Sequence, residues 1–474
     1  MSLNWPRNNS RWSTDWPPKS RTCSATPLPL FGSLLKTLEL ETLDDNTALH
    51  PDNTDPIRIE NARFVSSYSW MDTRGKGPTI LVPGKPPLWT PQKGPQQLKQ
   101  DSGTYYRDKN AARYPAHPLE PAIIVALEAD PELPSNLDIF CCASTLGNLL
   151  RFVRGENKQF RMVVYKLGRT FFFVRRENSP TEVIPDVKGY GHTFPEANTT
   201  WEEDVKGSGS HQRLVSYRFS GMKLCVRSEA DGYIKKEEDK EMSTSGKATT
   251  NITGPPAPPW PSPTLESLAT ALDILEVTPP SQSPRPSDIP TSPTAQSPLP
   301  AGLKILRSYT PPIPQSHIFD LKTRSMKKRP LENVLLDEEI PRLWIRQLQY
   351  FILAYHDRGL FRLTDVEVRV VKDDVRKWEL DHQRELGKFA RVLRWVIDVA
   401  EEYAANEDHG IEICLRESKK LEARKVVGLK YGVASKGVRE WWEGLVKEKD
   451  PETNSGEEEG SEETESTYAN DWMV

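Results

Sequence analysis

Between residues 255 and 314 lie 17 of the 41 prolines of this 474-residue chain, interleaved with Ser and Thr. Such a stretch has too few main-chain donors and too little apolar surface to join a sheet or a core. Whatever folds must assemble from the pieces on either side. Loop closure costs grow only with the logarithm of length, so a long polar spacer inside one domain is cheap. The composition predicts a disordered N-terminal arm over 1–56, one domain split into 57–235 and 315–447, a disordered Pro/Ser-rich insertion over 236–314, and a disordered acidic tail over 448–474.

The overall balance narrows the function classes. A net charge of -4 gives no global basic signature, so any nucleic-acid contact must come from a local patch. The five cysteines show no Cys-x-x-Cys and no zinc spacing with His, and are too few for a disulfide framework. That usage fits a reducing, intracellular setting, in nucleus or cytoplasm. The basic run Met326-Lys327-Lys328-Arg329-Pro330 suits a nuclear signal or a turn beside an RNA channel. No apolar run reaches the roughly 18 residues of a membrane span, and the N-terminus lacks a continuous apolar segment.

Strand and helix patterns alternate through both halves. Arg63 to Trp70, Thr79 to Val82 and Leu137 to Cys142 have strand character, and Phe160 to Leu167 with Thr170 to Val174 makes a hairpin around Leu167-Gly168. Leu119-Glu120-Pro121 opens a helix, Thr145 to Val153 forms another, and a third is expected near Glu202 to Ser216. Lys223 to Arg227 reads as a strand that runs into Glu229-Ala230-Asp231. In the second half Tyr350 to Tyr355 is a buried strand, and Leu386, Phe389, Val392, Leu393, Val396, Val399, Ala400 and Tyr403 mark the core stripe of a long helix. The fold class is α/β (α+β), a mixed central sheet flanked by helices. Within the insertion, Leu265, Leu268, Leu272 and Leu275 lie at helical spacing, a candidate protein-docking helix over 262–276.

Two acidic pieces carry the chemistry. In Asp320-Leu321-Lys322 the carboxylate and the ammonium share one face of a strand, because side chains two apart point the same way. Glu229 and Asp231 obey the same rule. If the two strands are neighbours, three carboxylates and one lysine meet. Clustered negative charge of that kind is costly unless a divalent cation neutralises it, and hard oxygen ligands select Mg2+ or Mn2+. Such a metal would activate water against a phosphate, with Lys322 stabilising the developing charge. The competing reading is a solvated charged face, common in a chain that is 27% charged. Tyr105-Tyr106-Arg107 and Arg113-Tyr114 interleave basic and aromatic residues, which suits phosphate and base contacts or plain surface packing.

The order of these segments resembles the decapping exoribonuclease family, which removes incomplete or non-canonical caps from RNA 5′ ends on an α/β fold related to the PD-(D/E)xK nucleases. Ser228-Glu229-Ala230-Asp231 is similar to that family's Gly-Glu-hydrophobic-Asp motif, and Asp320-Leu321-Lys322-Thr323 to its Glu-Leu-Lys-Thr. Arg113-Tyr114 resembles its motif arginine, Gly168 to Glu177 its glycine-started strand ending in acids, and Trp344 to Gln347 its Trp-x-Gln segment. The resemblance implies Asp231, Asp320 and Lys322 as catalytic residues. It implies Glu177, Glu229, Asp231 and Asp320 as metal ligands, and Arg113, Arg175, Arg176, Arg346 and Gln347 as contacts to an RNA 5′ end. Three departures stand out. Arg175 or Arg176 occupies the place of a metal-binding glutamate, Asp320 is a shortened acid, and Arg346 stands where a glutamine is expected.

Divalent-metal-dependent hydrolysis at RNA 5′ ends is therefore one expectation. A catalytically degenerate nuclease-fold scaffold that binds RNA or a protein partner is the alternative. The chain is also similar to a group of fungal proteins often labelled geranylgeranyl diphosphate synthetase. That chemistry is disfavoured, because neither Asp44-Asp45 nor Asp373-Asp374 continues into an Asp-Asp-x-x-Asp motif.

Overall fold

The computed structural model describes residues 29–44, 55–73, 75, 77–235, 302–404 and 410–446. The candidate docking helix over 262–276 and the acidic tail lie outside the described residues. In chain order the first half contains β1 (Leu34–Glu39), β2 (Ile59–Met71), β3 (Thr79–Val82), β4 (Leu88–Trp89), β5 (Gln96–Gln97), α1 (Lys109–Arg113), α2 (Glu120–Ala129) and α3 (Leu133–Asn136). It continues with β6 (Ile139–Cys142), α4 (Ala143–Val153), β7 (Phe160–Leu167), β8 (Thr170–Arg175), α5 (Thr193–Asn198), β9 (Thr199–Thr200), β10 (Ser208–Phe219), β11 (Met222–Ala230) and β12 (Gly232–Tyr233). The second half adds β13 (Lys304–Arg307), β14 (Ile318–Ser325), α6 (Glu332–Arg346), β15 (Tyr350–His356), β16 (Leu360–Phe361), β17 (Val366–Val370), α7 (Lys372–Asp381), α8 (Gln383–Ala404), β18 (Ile411–Glu417), β19 (Lys420–Lys425) and α9 (Lys436–Gly444).

Eleven strands form one mixed sheet in the order β1-β19-β18-β7-β8-β6-β11-β10-β2-β3-β13. Both its faces are covered, which shows in the strand residues themselves. On β7, Met162 and Val164 pack with α4, α6 and α8, while Val163, Tyr165 and Leu167 pack with α2 and α9. This is the burial expected of a sheet lying between two helix layers. The stripe on α8 is buried from Leu386 through Ala400. A second sheet, β17-β15-β14-β12-β4-β9, stands beside the first. β11 belongs to the large sheet and β12 to the small one, so the chain changes sheets at Asp231.

Gly232 makes that crossing possible. A Cβ there would lie 2.3 Å from the Phe319 ring and 2.8 Å from the Pro87 carbonyl oxygen. Only a bare backbone can pass so close, and its closeness pairs Gly232 with Phe319 across β12 and β14. Helix α6 ends at Gln347 in the left-handed region, φ 53°, with the Leu348 amide donating to the Leu343 carbonyl at 3.1 Å. That closure fixes the direction of Arg346, the last helical residue.

Three expectations need correction. Residues 208–219 form a strand rather than the end of a helix, since β10 pairs β11 and β2 along its whole length. Its buried Ser210, His211, Gln212 and Arg213 hide the usual apolar alternation. The N-terminal arm is not wholly outside the fold: β1 pairs antiparallel with β19. The insertion ends earlier than its composition suggests, because Lys304–Arg307 pairs parallel with Thr79–Val82.

Candidate functional site

The carboxyl end of β11 and the middle of β14 meet at the floor of a cleft of about 550 Å3. The Leu321 amide donates to Asp231 Oδ2 at 2.8 Å, which ties the two acidic pieces together. Asp320 is almost wholly buried. Lys322 Nζ donates to its Oδ2 at 2.6 Å, the same-face geometry that the strand period dictates, and Arg346 Nη1 donates to its Oδ1. Arg346 Nη2 also donates to the Glu229 carbonyl oxygen, so this guanidinium bridges β11 and β14. Glu229 turns its own carboxylate to Lys109, 3.2 Å away.

The electrostatics divide the two aspartates. Burial, and then the charge of Asp320, push the Asp231 carboxyl up to about 6. Burial also opposes charge on Asp320, but Lys322 and Arg346 outweigh it and hold that carboxyl well below the usual carboxylate range. Asp320 therefore keeps its charge while Asp231 holds a proton into mildly acidic solution.

The remaining predicted residues scatter. Arg175 lines the cleft, with its Nε donating to Glu177. Glu177 itself lines a neighbouring, more apolar cavity with Arg176. Arg176 is buried, with Nη1 3.1 Å from Glu412 and Nη2 donating to the Val427 carbonyl. Arg113 pairs with Asp72 and does not line the cleft. Gln347 donates to the Trp344 carbonyl at 2.6 Å and is absent from the cleft wall as well.

Other basic residues take their place. Arg342, one helical turn before Arg346, lines the cleft together with Arg151, Arg227 and Arg324. The i, i+4 spacing of Arg342 and Arg346 on a helix, and of Arg227 and Glu229 at i, i+2 on a strand, was the available signal. Nine basic side chains line the cleft against four acidic ones. Their mutual repulsion reaches Lys158, whose ammonium is pushed below its ordinary value by Arg151, then by burial, Arg175 and Arg342.

The carboxylates present do not fit a resident Mg2+ or Mn2+. Among the described residues no group of three or more His, Cys, Asp or Glu is placed to hold a metal ion. Three of the four oxygens of Asp231 and Asp320 are already engaged, by the Leu321 amide, Lys322 and Arg346. Glu177 and Glu229, expected as further ligands, are drawn off by Arg175 and Lys109. The chain supplies from Lys322 and Arg346 the neutralisation that a cation would otherwise provide.

What the fold and cleft define is an α/β protein with a carboxylate pair and a lysine at the floor of a cationic groove. Residues 42–254 match a family model described as a domain of unknown function, DUF8563. A sequence comparison with curated proteins finds no match. Among solved structures, Scheffersomyces stipitis Rai1 in complex with (3'-NADP)+ and calcium ion is similar at 11% identity and a TM-score of 0.49, covering 88% of this chain and 100% of that one. Candida albicans Rai1 in complex with pU5-Mn2+ is similar at 11% identity and a TM-score of 0.49, covering 87% and 100%. K. lactis Dxo1 in complex with manganese shows 8% identity and a TM-score of 0.42, covering 78% and 92%.

Proposed function

We propose that the cleft binds the phosphorylated 5′ end of an RNA, and that it does so without a resident metal. The observation that carries this is the excess of nine basic over four acidic side chains in one cleft of a chain whose net charge is -4. Local positive charge of that density attracts a polyanion, and guanidinium groups bond phosphate oxygens in pairs. RNA is favoured by the resemblance of the two acidic motifs to those of RNA 5′-end nucleases, and by their meeting at Asp231, where β11 hands over to the β12 strand that pairs β14. Asp231, Asp320 and Lys322 then form the floor beneath the bound end. Arg151, Arg175, Arg342 and Arg324 line the walls that contact phosphates.

A second reading, hydrolysis at the RNA 5′ end by decapping or 5′-3′ exonuclease chemistry, is favoured by one observation. A carboxyl raised to about 6 beside a lysine is the kind of group that moves protons near neutral pH. Purified protein with 5′-triphosphorylated, NAD-capped or unmethylated-capped RNA separates the two. Binding of a labelled RNA without any nucleotide product, with or without Mn2+, supports the binding protein. A nucleotide product that disappears in Asp231→Asn and Lys322→Ala supports the hydrolase. Loss of RNA binding altogether sinks both.

A further inference from the structure

Helix α4 leaves the buried strand β6 directly into the cleft wall. Its N-cap, Cys142, is extended and supplies no side-chain cap, so the first-turn amides are not satisfied by a capping side chain. Cys142, Ala143 and Ser144 line the cleft, and Ser144 is exposed. The parallel register of β11 on β6 places Arg227 opposite Cys142, at the very start of the helix.

Arg227 is 8% exposed and also lines the cleft. Its Nε and Nη1 are buried without a hydrogen-bond partner. No ion pair to it is found among the described residues. The nearby Asp108 carboxylate is committed to capping α1, accepting from the Asn110 and Ala111 amides at 3.0 and 2.9 Å. The Tyr68 hydroxyl is a neutral partner to this guanidinium, so its charge stays without an anion of its own, and a buried unpaired charge is the sort of group that an anionic ligand satisfies. Helix amides, the positive end of the helix dipole and a guanidinium with no anion of its own line the same wall of the cleft.

We infer that the start of α4 and Arg227 form an oxyanion site for a phosphoryl group, distinct from the Asp231–Asp320 floor. It rests on the proposed RNA reading only for the identity of the molecule that carries the phosphate. The amides of the first turn and the part of the Arg227 guanidinium that lines the cleft donate, and the phosphate oxygens accept. Arg151, two turns further along α4, adds a third charge on the same wall.

The test titrates inorganic phosphate into the full chain at constant ionic strength held with chloride, and reads the melting temperature. Wild type, Ser144→Ala, Ser144→Asp and Arg227→Gln are compared. Ser144→Asp is the informative variant, since a carboxylate in the first turn favours the helix yet repels a phosphate. Phosphate should raise the melting temperature of wild type and Ser144→Ala by roughly 2–4 °C, and leave Ser144→Asp and Arg227→Gln unmoved. No rise in wild type, or an equal rise in all four, overturns the site. Fluorescence anisotropy of 5′-phosphorylated RNA on the same proteins tests the carrier. A phosphate effect without RNA binding removes the RNA reading and keeps the site, and RNA binding that Ser144→Asp leaves undiminished overturns the site's use by RNA. Weakening by about tenfold in Ser144→Asp supports both.

Discussion

The Leu321 amide donates to Asp231 Oδ2 at 2.8 Å across ninety positions of sequence. That one bond joins the large sheet to the small one at the floor of the cleft. Its acceptor sits beside Asp320, and the pair makes the stability of this protein depend on pH in a defined direction. Asp231 titrates at about 6 in the folded chain against 3.8 ordinarily. Between those values the folded state holds a proton that the unfolded state has released, so this group's contribution falls as pH rises through the window. Asp231→Asn keeps an acceptor for the amide and removes the charge. It should stabilise the protein at about pH 7.5 by on the order of 1–3 kcal/mol and give little gain near about pH 4. Chemical denaturation at the two pH values checks it.

Asp320 behaves oppositely, held in its charged form by Lys322 and then by Arg346. The Arg346 guanidinium holds one oxygen of a carboxylate that is 2% exposed. Arg346→Met leaves that charge to Lys322 alone and should cost about 1.5–3 kcal/mol. Arg346→Gln retains a donor for the carbonyl but releases Oδ1 of Asp320, which with the unengaged oxygen of Asp231 opens room for a cation, so Mn2+ should raise the melting temperature of that variant and leave wild type unchanged. Differential scanning fluorimetry with and without Mn2+ reads both effects.

Arg175 and Arg176 are neighbours in sequence with separate fates. Arg176 lies with Arg161 around Glu412, whose side chain is 0% exposed, whereas Arg175 faces the cleft. Arg176→Met should lower stability and leave RNA affinity of the folded fraction intact. Arg175→Met should weaken RNA binding with little change in melting temperature.

The cleft charges also set a salt response. Each phosphate neutralised on a single strand contributes about -0.7 to the slope of log affinity against log salt. Arg151→Gln and Arg342→Gln should each make that slope shallower by about that amount, measured by anisotropy over a salt series.

Much of this arrangement was legible in residue order, and the failures have physical causes. Asp320 and Lys322 could be placed on one face because a strand repeats every two residues, and the apolar stripe of α8 fixed that helix. β10 escaped because buried polar residues, His211 with Ser69 at 3.0 Å and Arg213 with Gln315 at 2.9 Å, replace apolar alternation. β1 escaped because it is an edge strand with mostly exposed side chains. Arg113 and Glu177 were expected at the site from a resemblance of motifs, yet Asp72 and Arg175 hold them elsewhere. Long-range ion pairing of that kind leaves no local pattern. Arg227 could have been read two residues before Glu229, on the same strand face.

The metal requirement of RNA binding tests the central claim most directly. Affinity for a 5′-phosphorylated oligoribonucleotide, measured by fluorescence anisotropy in EDTA and again in Mn2+ at matched ionic strength, should be the same in both. Binding that appears only with Mn2+ would contradict a cleft whose carboxylates are neutralised by Lys322 and Arg346.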